Sequence, residues 1–322
     1  MDVLSDIFET IQLRGTFYFR TDFSGSWGTT VPDHGNATRF HFVVEGRCHV
    51  TLPSGTAVTL NPGDLILISG GARHVLRHAP EGDAPPLETV LRQAGYNGEG
   101  FLAIGTGDPA AATRMICGHL SFATGADHPL LRALPDHVVI PPAMRARLPW
   151  LDETLRLLVR HVFSSHTGAV AAVTRLSEVV FIEAVRSAIE QSQALSRILH
   201  AFAEPRIGRT LQLMHARPAE PWTVESLATT VGMSRSRFAS QFEELVGCGP
   251  IHYLSEWRLQ RALALLPRSS ASVGAIAREL GYSSTAVLTR SFTQKFGRPP
   301  TAMRAADFTG PHDGGEEASP SC

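Results

Sequence analysis

One short pattern occurs twice in the C-terminal third of the chain and decides how that third folds. Residues 227–234 read LATTVGMS, and residues 276–283 read IARELGYS. Both copies have a small residue, a glycine four positions later and a serine two positions after that. Two apolar side chains four residues apart follow each copy, namely Phe238 and Phe242, then Leu288 and Phe292. The pattern predicts a short helix, a turn at glycine and a second helix, in two copies.

Each part of the pattern has a physical reason. The hydroxyl groups of Thr223 and Ser272 are placed to cap the first helices. The glycines at 232 and 281 allow the positive φ of a sharp turn. The second helix buries one face and leaves the other polar, which is the helix-turn-helix arrangement that puts this helix in the DNA major groove. An all-helical packing domain without a DNA role is the alternative, and the duplication argues against it.

Charge is distributed unevenly along the 322 residues, although the whole chain carries only −1. Residues 1–204 carry −4, and residues 309–322 carry −3. Residues 205–308 hold 13 basic and 7 acidic side chains, which gives +6. A basic block joined to an acidic one indicates that the C-terminal part meets a polyanion.

The block 221–304 resembles the DNA-binding domain of the AraC/XylS family of bacterial transcription regulators. The resemblance is most specific over residues 281–304, GYSSTAVLTRSFTQKFGRPPTAMR. It implies that a long helix, here residues 251–266, joins the two units. It also implies that the two recognition helices enter successive major grooves about 34 Å apart.

The resemblance further implies which side chains face the DNA. In the first recognition helix they are Arg235, Ser236, Arg237, Ala239 and Ser240, and in the second they are Thr285, Ala286, Thr289 and Arg290. Arg290 is the strongest candidate for a base contact, because arginine pairs bidentately with guanine. The two alanines offer only methyl contacts. Four further basic residues are candidates either for phosphate contacts or for plain solvated surface, namely Arg258, Arg278, Lys295 and Arg298.

The N-terminal part has a different pattern of apolar residues. Residues 1–20 predict a short amphipathic helix and then a strand, and short apolar runs between glycine, proline and serine continue to residue 122. This is typical of an antiparallel barrel or sandwich. Residues 80–112 predict a loop. After Pro149 the apolar period becomes helical, which predicts two connecting helices that pack either on their own barrel or between subunits.

The predicted fold class is therefore α+β in two parts, an antiparallel β-barrel with following helices and an all-α C-terminal domain. We expect a barrel over residues 1–148 and linker or dimerisation helices over 149–204. The DNA-binding domain then covers 205–308, with helix-turn-helix units at 223–246 and 272–296. The last fourteen residues, 309–322, are almost without apolar side chains and are expected to be disordered.

The N-terminal part, from about residue 2 to 190, resembles the cupin-like effector domain attached to many AraC-type regulators. Segments that contribute are CGHLSF at 117–122, HPLLRALP at 128–135 and AEPRIGRTLQLMHARP at 203–218. The resemblance implies a barrel that senses, helices that transmit the signal or dimerise, and a C-terminal domain that binds DNA.

Cupin enzymes hold a metal through an HxH…E motif and a later histidine, and here Arg39 replaces the first of these. The remaining ligand positions are His41, Glu45 and His74, which would suit zinc, iron or manganese. The alternative is that both histidines only line a barrel that has lost its metal.

Two cysteines offer a second chemistry. Cys117 or Cys48, if close to His41 or His74, would gain thiolate character and could act as a redox switch or a soft metal ligand. The alternative is that each is a small buried hydrophobe.

The sequence favours a DNA-binding transcription regulator over an enzyme. We expect it to bind double-stranded DNA as a homodimer, to respond to a small effector or an oxidant, and to contact RNA polymerase if it is an activator. The rivals are a cupin-type metal-dependent enzyme with an accessory helical domain and an architectural DNA-binding protein without effector control. No membrane partner is expected because no run of apolar residues is long enough to span a bilayer. An acidic N-terminus and four isolated cysteines predict a cytoplasmic location.

Overall fold

The computed structural model describes residues 2–97, 101–105, 112–162, 167–188 and 192–305. The chain divides into two units. The N-terminal unit consists of residues 7–204 with 245–247, and the C-terminal unit consists of residues 1–6, 205–244 and 248 onward. The predicted disordered tail, 309–322 with Cys322, lies outside the described residues. No helix of the described part is long and apolar enough to cross a membrane.

Two β-sheets form the N-terminal unit. The six-stranded sheet has the order β10-β6-β3-β9-β1-β8, and the four-stranded sheet has the order β2-β7-β4-β5. The strands are β1 (Arg14–Phe23), β2 (Gly28–Val31), β3 (Ala37–Glu45), β4 (Cys48–Thr51), β5 (Ala57–Leu60), β6 (Leu65–Ile68), β7 (His74–Arg77), β8 (Phe101–Ile104), β9 (Arg114–Ser121) and β10 (His137–Ile140).

Apolar side chains from both sheets form the core of this unit. Phe23, Val43 and Ile66 of the six-stranded sheet pack in one cluster with Val50 and Leu76 of the four-stranded sheet. Burying them together removes the inner face of each sheet from water, which stabilises the sandwich.

Seven helices of the described residues precede residue 205. They are α1 (Val3–Thr10), α2 (Leu87–Gln93), α3 (Pro129–Arg132), α4 (Pro142–Arg145), α5 (Pro149–Val162), α6 (Ala169–Ser187) and α7 (Gln193–Ala203). The predicted helical periodicity after Pro149 is confirmed, since Leu151, Leu155 and Leu158 are buried. Helix α6 lies against the unit's own sheet, where Glu178 accepts a hydrogen bond from the Gly15 N–H at 3.1 Å.

Several expectations for this unit were wrong in detail. The segment 80–112, predicted as a loop, contains α2 and β8. Strand β8 pairs with β1 in parallel, so the sheet is not wholly antiparallel. Between residues 149 and 204 the described part of the chain forms three helices, α5, α6 and α7, where two were expected.

The C-terminal unit is helical. It comprises α8 (Pro205–Ala216), α9 (Val224–Thr230), α10 (Arg235–Val246), α11 (Pro250–Leu265), α12 (Val273–Glu279), α13 (Thr285–Phe296) and α14 (Pro300–Ala305). The long helix expected at 251–266 is α11, displaced by one residue. The α+β fold in two parts, with a sheet-rich first part and an all-α second part, is confirmed.

Candidate functional sites in the two units

The first helix-turn-helix unit consists of α9 and α10. Thr223 and Ser226 form a reciprocal cap, in which the Ser226 N–H donates to Thr223 Oγ1 at 3.0 Å and the Thr223 N–H donates to Ser226 Oγ at 2.9 Å. Gly232 has a φ of 65° between the two helices. Phe238 and Phe242 of α10 are fully buried, as their spacing predicted.

The second unit, α12 and α13, repeats this design. Ser272 caps α12 by accepting the Ala275 N–H at 3.1 Å. Ser284 caps α13 by accepting the Val287 N–H at 3.3 Å, a role that the sequence analysis did not assign. Leu288 and Phe292 are fully buried with Ile276 of α12 and Leu263 of α11 in one cluster. Ser234 likewise accepts the Arg237 N–H at 3.4 Å at the start of α10, so each second helix has a cap at its start and a buried face along its length.

The side chains expected to face DNA lie within the first two turns of α10 and α13. Seven of them are exposed, namely Arg235, Ser236, Arg237, Ser240, Thr285, Ala286 and Arg290, and Ala239 and Thr289 are partly buried. Among the described residues, no carboxylate pairs with Arg235, Arg237 or Arg290. These cationic side chains are therefore available to a polyanion.

Val287 was missed by the sequence analysis. It is 40% exposed on α13, between Ala286 and the buried Leu288. An exposed branched apolar side chain on a recognition helix can contact the methyl group of thymine, as an alanine can. Its position one residue before Leu288, where the apolar face of α13 begins, could have identified it.

The four candidate phosphate-binding residues divide into two pairs. Arg258 donates to the carbonyl oxygens of Pro218 at 2.7 Å and Glu220 at 2.9 Å, and Lys295 lies 2.5 Å from the Glu256 carboxylate. Their charged groups thus hold the unit together. Arg278 and Arg298 are exposed and have no ion pair within the described part of the chain.

In the N-terminal unit the structure brings together three of the residues singled out from the sequence. His41 Nε2 lies 2.8 Å from His74 Nε2, and His41 Nδ1 lies 3.1 Å from Cys117 Sγ. The fourth partner is a backbone carbonyl, because His74 Nδ1 lies 2.8 Å from Ala72 O. All three side chains are buried.

These contacts form a row from Cys117 through His41 and His74 to Ala72 O. When both rings are neutral, one assignment of protons satisfies every hydrogen bond in it. Ala72 O can only accept, so His74 Nδ1 must donate and His74 Nε2 must accept. His41 Nε2 therefore donates to His74, which leaves His41 Nδ1 to accept from the Cys117 thiol. The result is a directed row of hydrogen bonds from the thiol through two imidazoles to a carbonyl.

Burial keeps these groups uncharged. It lowers the pKa of His74 to about 4, and burial together with His74 and Arg39 lowers the pKa of His41 well below its usual value. Burial raises the pKa of the Cys48 thiol to about 12 and raises the pKa of the Cys117 thiol further. Neutral thiols are slow nucleophiles, so this environment opposes a fast thiolate switch at Cys48 or Cys117.

Glu45 does not join the two histidines. Its carboxylate lies 2.6 Å from Arg114 Nη1 and is solvent-exposed. Residues four apart on a regular strand share a face, but the pairing of β3 with β9 shifts between Val43 and Glu45 and breaks this alternation. The expected three-ligand set of His41, Glu45 and His74 is therefore not formed. Within the described ranges no group of three or more His, Cys, Asp or Glu side chains is arranged to hold a metal ion.

Comparison with known proteins agrees with the description of both units. A family model described as Cupin matches residues 2–190, and one described as Helix-turn-helix domain matches residues 227–306. The HTH-type transcriptional regulator AlkR of Acinetobacter baylyi is 32% identical over 308 residues, covering 94% of this chain and 99% of AlkR. A putative AraC-like transcription regulator of Streptomyces lividans is 29% identical over 306 residues, covering 94% and 98%.

The chain belongs to the AraC-type family of transcriptional regulators. It is a sequence-specific DNA-binding regulator with a cupin N-terminal domain. The crystal structure of an AraC-type transcriptional regulator from Chromobacterium violaceum is also similar, with 31% identity over 33% of this chain and 94% of that chain and a TM-score of 0.31.

Proposed function

We propose that this AraC-type regulator reads its operator with the N-terminal turns of α10 and α13 and that its cupin unit responds to a small effector. The observation that carries the first part is the exposure of three arginines, Arg235, Arg237 and Arg290, within the first two turns of two helices that are capped and have one buried face. Arginine matches both guanine edges and phosphate oxygens.

The cupin unit is proposed as a sensor and not as an enzyme, because the space at the expected metal site leaves little room for a substrate. The cavity beside His41 and Cys117 measures only about 20 Å³, roughly the space for one water molecule. We propose no catalytic role, so the regulator is preferred to the metal-dependent cupin enzyme. The full-length relatives are named as transcriptional regulators, which supports this choice.

We also propose that the regulator works as a homodimer in the cytoplasm and, if it is an activator, contacts RNA polymerase. Support for a dimer comes from the α5–α6 hairpin, where Trp150 is 75% exposed and Val170 is 68% exposed. Exposed apolar side chains mark an interface where they form one patch, so the two positions are tested together. Sedimentation of the full chain tests this, since a Trp150→Ser, Val170→Ser variant is expected to shift toward the monomer while the parent remains dimeric.

Replacing Arg290 by alanine tests the proposed reading of DNA. Loss of a bidentate base contact is expected to cost about 1–3 kcal/mol on the natural operator and little on random DNA. Fluorescence anisotropy of both complexes at one fixed salt concentration measures the two losses.

Arg298→Ala is the matched control, because Arg298 is exposed, lies just after α13 and pairs with no described carboxylate. It is expected to change both affinities equally or not at all. An equal loss on both DNAs for Arg290→Ala would contradict a base contact at that position and assign Arg290 to a phosphate.

A further inference from the structure

A second cavity of the N-terminal unit is far larger than the one beside His41. This cleft measures about 470 Å³, a volume within the usual range for small-molecule sites. Its walls come from chain segments that follow β1, β3, β5 and β7. Loops gathered at one end of a rigid sandwich are a common place for a binding site.

The cleft is basic. Arg47, His49 and His78 line it together with the amide of Asn61, and no carboxylate stands among its described lining residues. Two acids near lining residues are engaged: Glu45 is held by Arg114 at 2.6 Å, and Asp64 accepts the Asn61 N–H at 2.7 Å. Arg47 makes no side-chain hydrogen bond or ion pair with any residue that the structure describes.

The backbone that carries Arg47 is fixed in place. Gly46 before it has a φ of 76°, and a Cβ there would lie 2.7 Å from the Ala112 carbonyl oxygen. The carbonyl of Arg47 accepts a hydrogen bond from the Thr113 hydroxyl at 3.1 Å. The turn therefore presents the guanidinium without a large cost of ordering the chain when a ligand binds.

Both histidines are anchored through one ring nitrogen. His49 Nδ1 lies 3.0 Å from the Thr59 hydroxyl, and His78 Nδ1 lies 3.0 Å from Trp27 O and 3.2 Å from Trp27 N. Each ring keeps its Nε2 without a hydrogen bond to a described residue. Burial lowers the pKa of His49, and the nearby Arg47 and His78 lower it further.

We propose that this cleft binds a small organic anion, whose carboxylate or phosphate group is held by Arg47 with His49 and His78. A bound anion would compensate the charge of Arg47, which has no described carboxylate partner, and arginine suits both oxyanions. The exposed Pro62 and Pro80 offer apolar surface for the rest of the molecule. This inference rests on the proposed function, since it names the site and the chemical class of the effector.

Calorimetric titration of the full chain tests the proposal. The probes are inorganic phosphate, phenyl phosphate and benzoate, at an ionic strength held constant with NaCl, and the neutral controls are phenol and benzamide. We expect saturable binding of at least one anion and of neither neutral compound. The phosphate and benzoate arms separate the two oxyanions.

Two variants test whether Arg47 holds the anion. Arg47→Ala is expected to weaken anion binding by tenfold or more. Arg73→Ala removes an exposed arginine at the opposite end of β7 and is expected to leave it unchanged. Absence of saturable binding for all three anions, or equal affinity in Arg47→Ala and the parent, would overturn the proposal.

The same protein preparations are assayed for DNA preference. If the operator is preferred over shuffled DNA but no anion binds, only the cleft inference fails. If an anion binds at Arg47 but no DNA fragment is preferred, the proposed function fails and the cleft remains.

Discussion

Gly281→Ala is expected to lower the free energy of unfolding of the C-terminal unit by about 3 kcal/mol. Gly281 has a φ of 77°, which costs a residue with a Cβ about 1–2 kcal/mol. The new Cβ would also lie 2.6 Å from the carbonyl oxygen of Ala219 and 2.7 Å from its Cα. Backbone atoms cannot rotate away, so overpacking adds a further penalty of about 1–3 kcal/mol.

The duplication supplies the control. Gly232 occupies the same position in the first unit with a φ of 65°, but a Cβ there would meet nothing within 4 Å. Gly232→Ala is expected to cost only the backbone penalty, about 1 kcal/mol. Urea denaturation of the full chain, with hydrogen exchange of α12–α13 peptides to localise the effect, compares the two variants. Equal destabilisation would contradict the tight approach of Ala219 to the second turn.

Acid is expected to destabilise the N-terminal unit more than its carboxylates alone would. The pKa of His74 falls from 6.5 when unfolded to about 4 when folded, so the unfolded chain binds the extra proton between these two values. The penalty is absent above pH 6.5, grows as pH falls and is complete near pH 4, where it amounts to about 3 kcal/mol.

His74→Asn tests this effect, because the asparagine amide can still donate to Ala72 O. The variant is expected to be less stable than the parent at pH 7 but to lose stability less steeply between pH 6.5 and 4. Denaturant midpoints at half-unit pH steps measure how steeply the stability of the variant and of the parent falls with pH. If the slopes are identical, His74 does not take up a proton on unfolding in this range.

The two helix-turn-helix units and the long helix between them could be predicted from the sequence almost residue by residue. Their decisive signals are local, namely a capping hydroxyl, a turn glycine and apolar residues four apart, and each acts within one helix. Ser284 and Val287 were the exceptions. The second cap escaped notice because Ser283 and Ser284 stand side by side, and either could have been the cap.

The N-terminal unit was predicted in class but not in detail, because its short strands are stabilised by partners distant in sequence. Strands β2 and β7 have four residues each and pair with one another across more than forty positions. Glu45 illustrates the same limit. A four-residue spacing suggested a shared face with His41, and only the register of β3 against β9 shows that the alternation is broken.

The cleft proposed to bind an anion could not have been found from the sequence. Arg47, His49 and His78 form no motif, and His78 reaches the other two only because β7 pairs with β4. The row of His41, His74 and Cys117 is similar, since His41 lies opposite Cys117 through the pairing of β3 and β9.

The central claim is that this chain selects specific DNA with two recognition helices. Fluorescence anisotropy of the full chain on DNA from upstream of its own gene, against shuffled DNA of the same composition, tests it most directly across a salt series. We expect tighter binding to the natural fragment at every salt concentration, with affinity falling as salt rises. Equal affinity for natural and shuffled DNA, with and without the anionic probes, would contradict the claim.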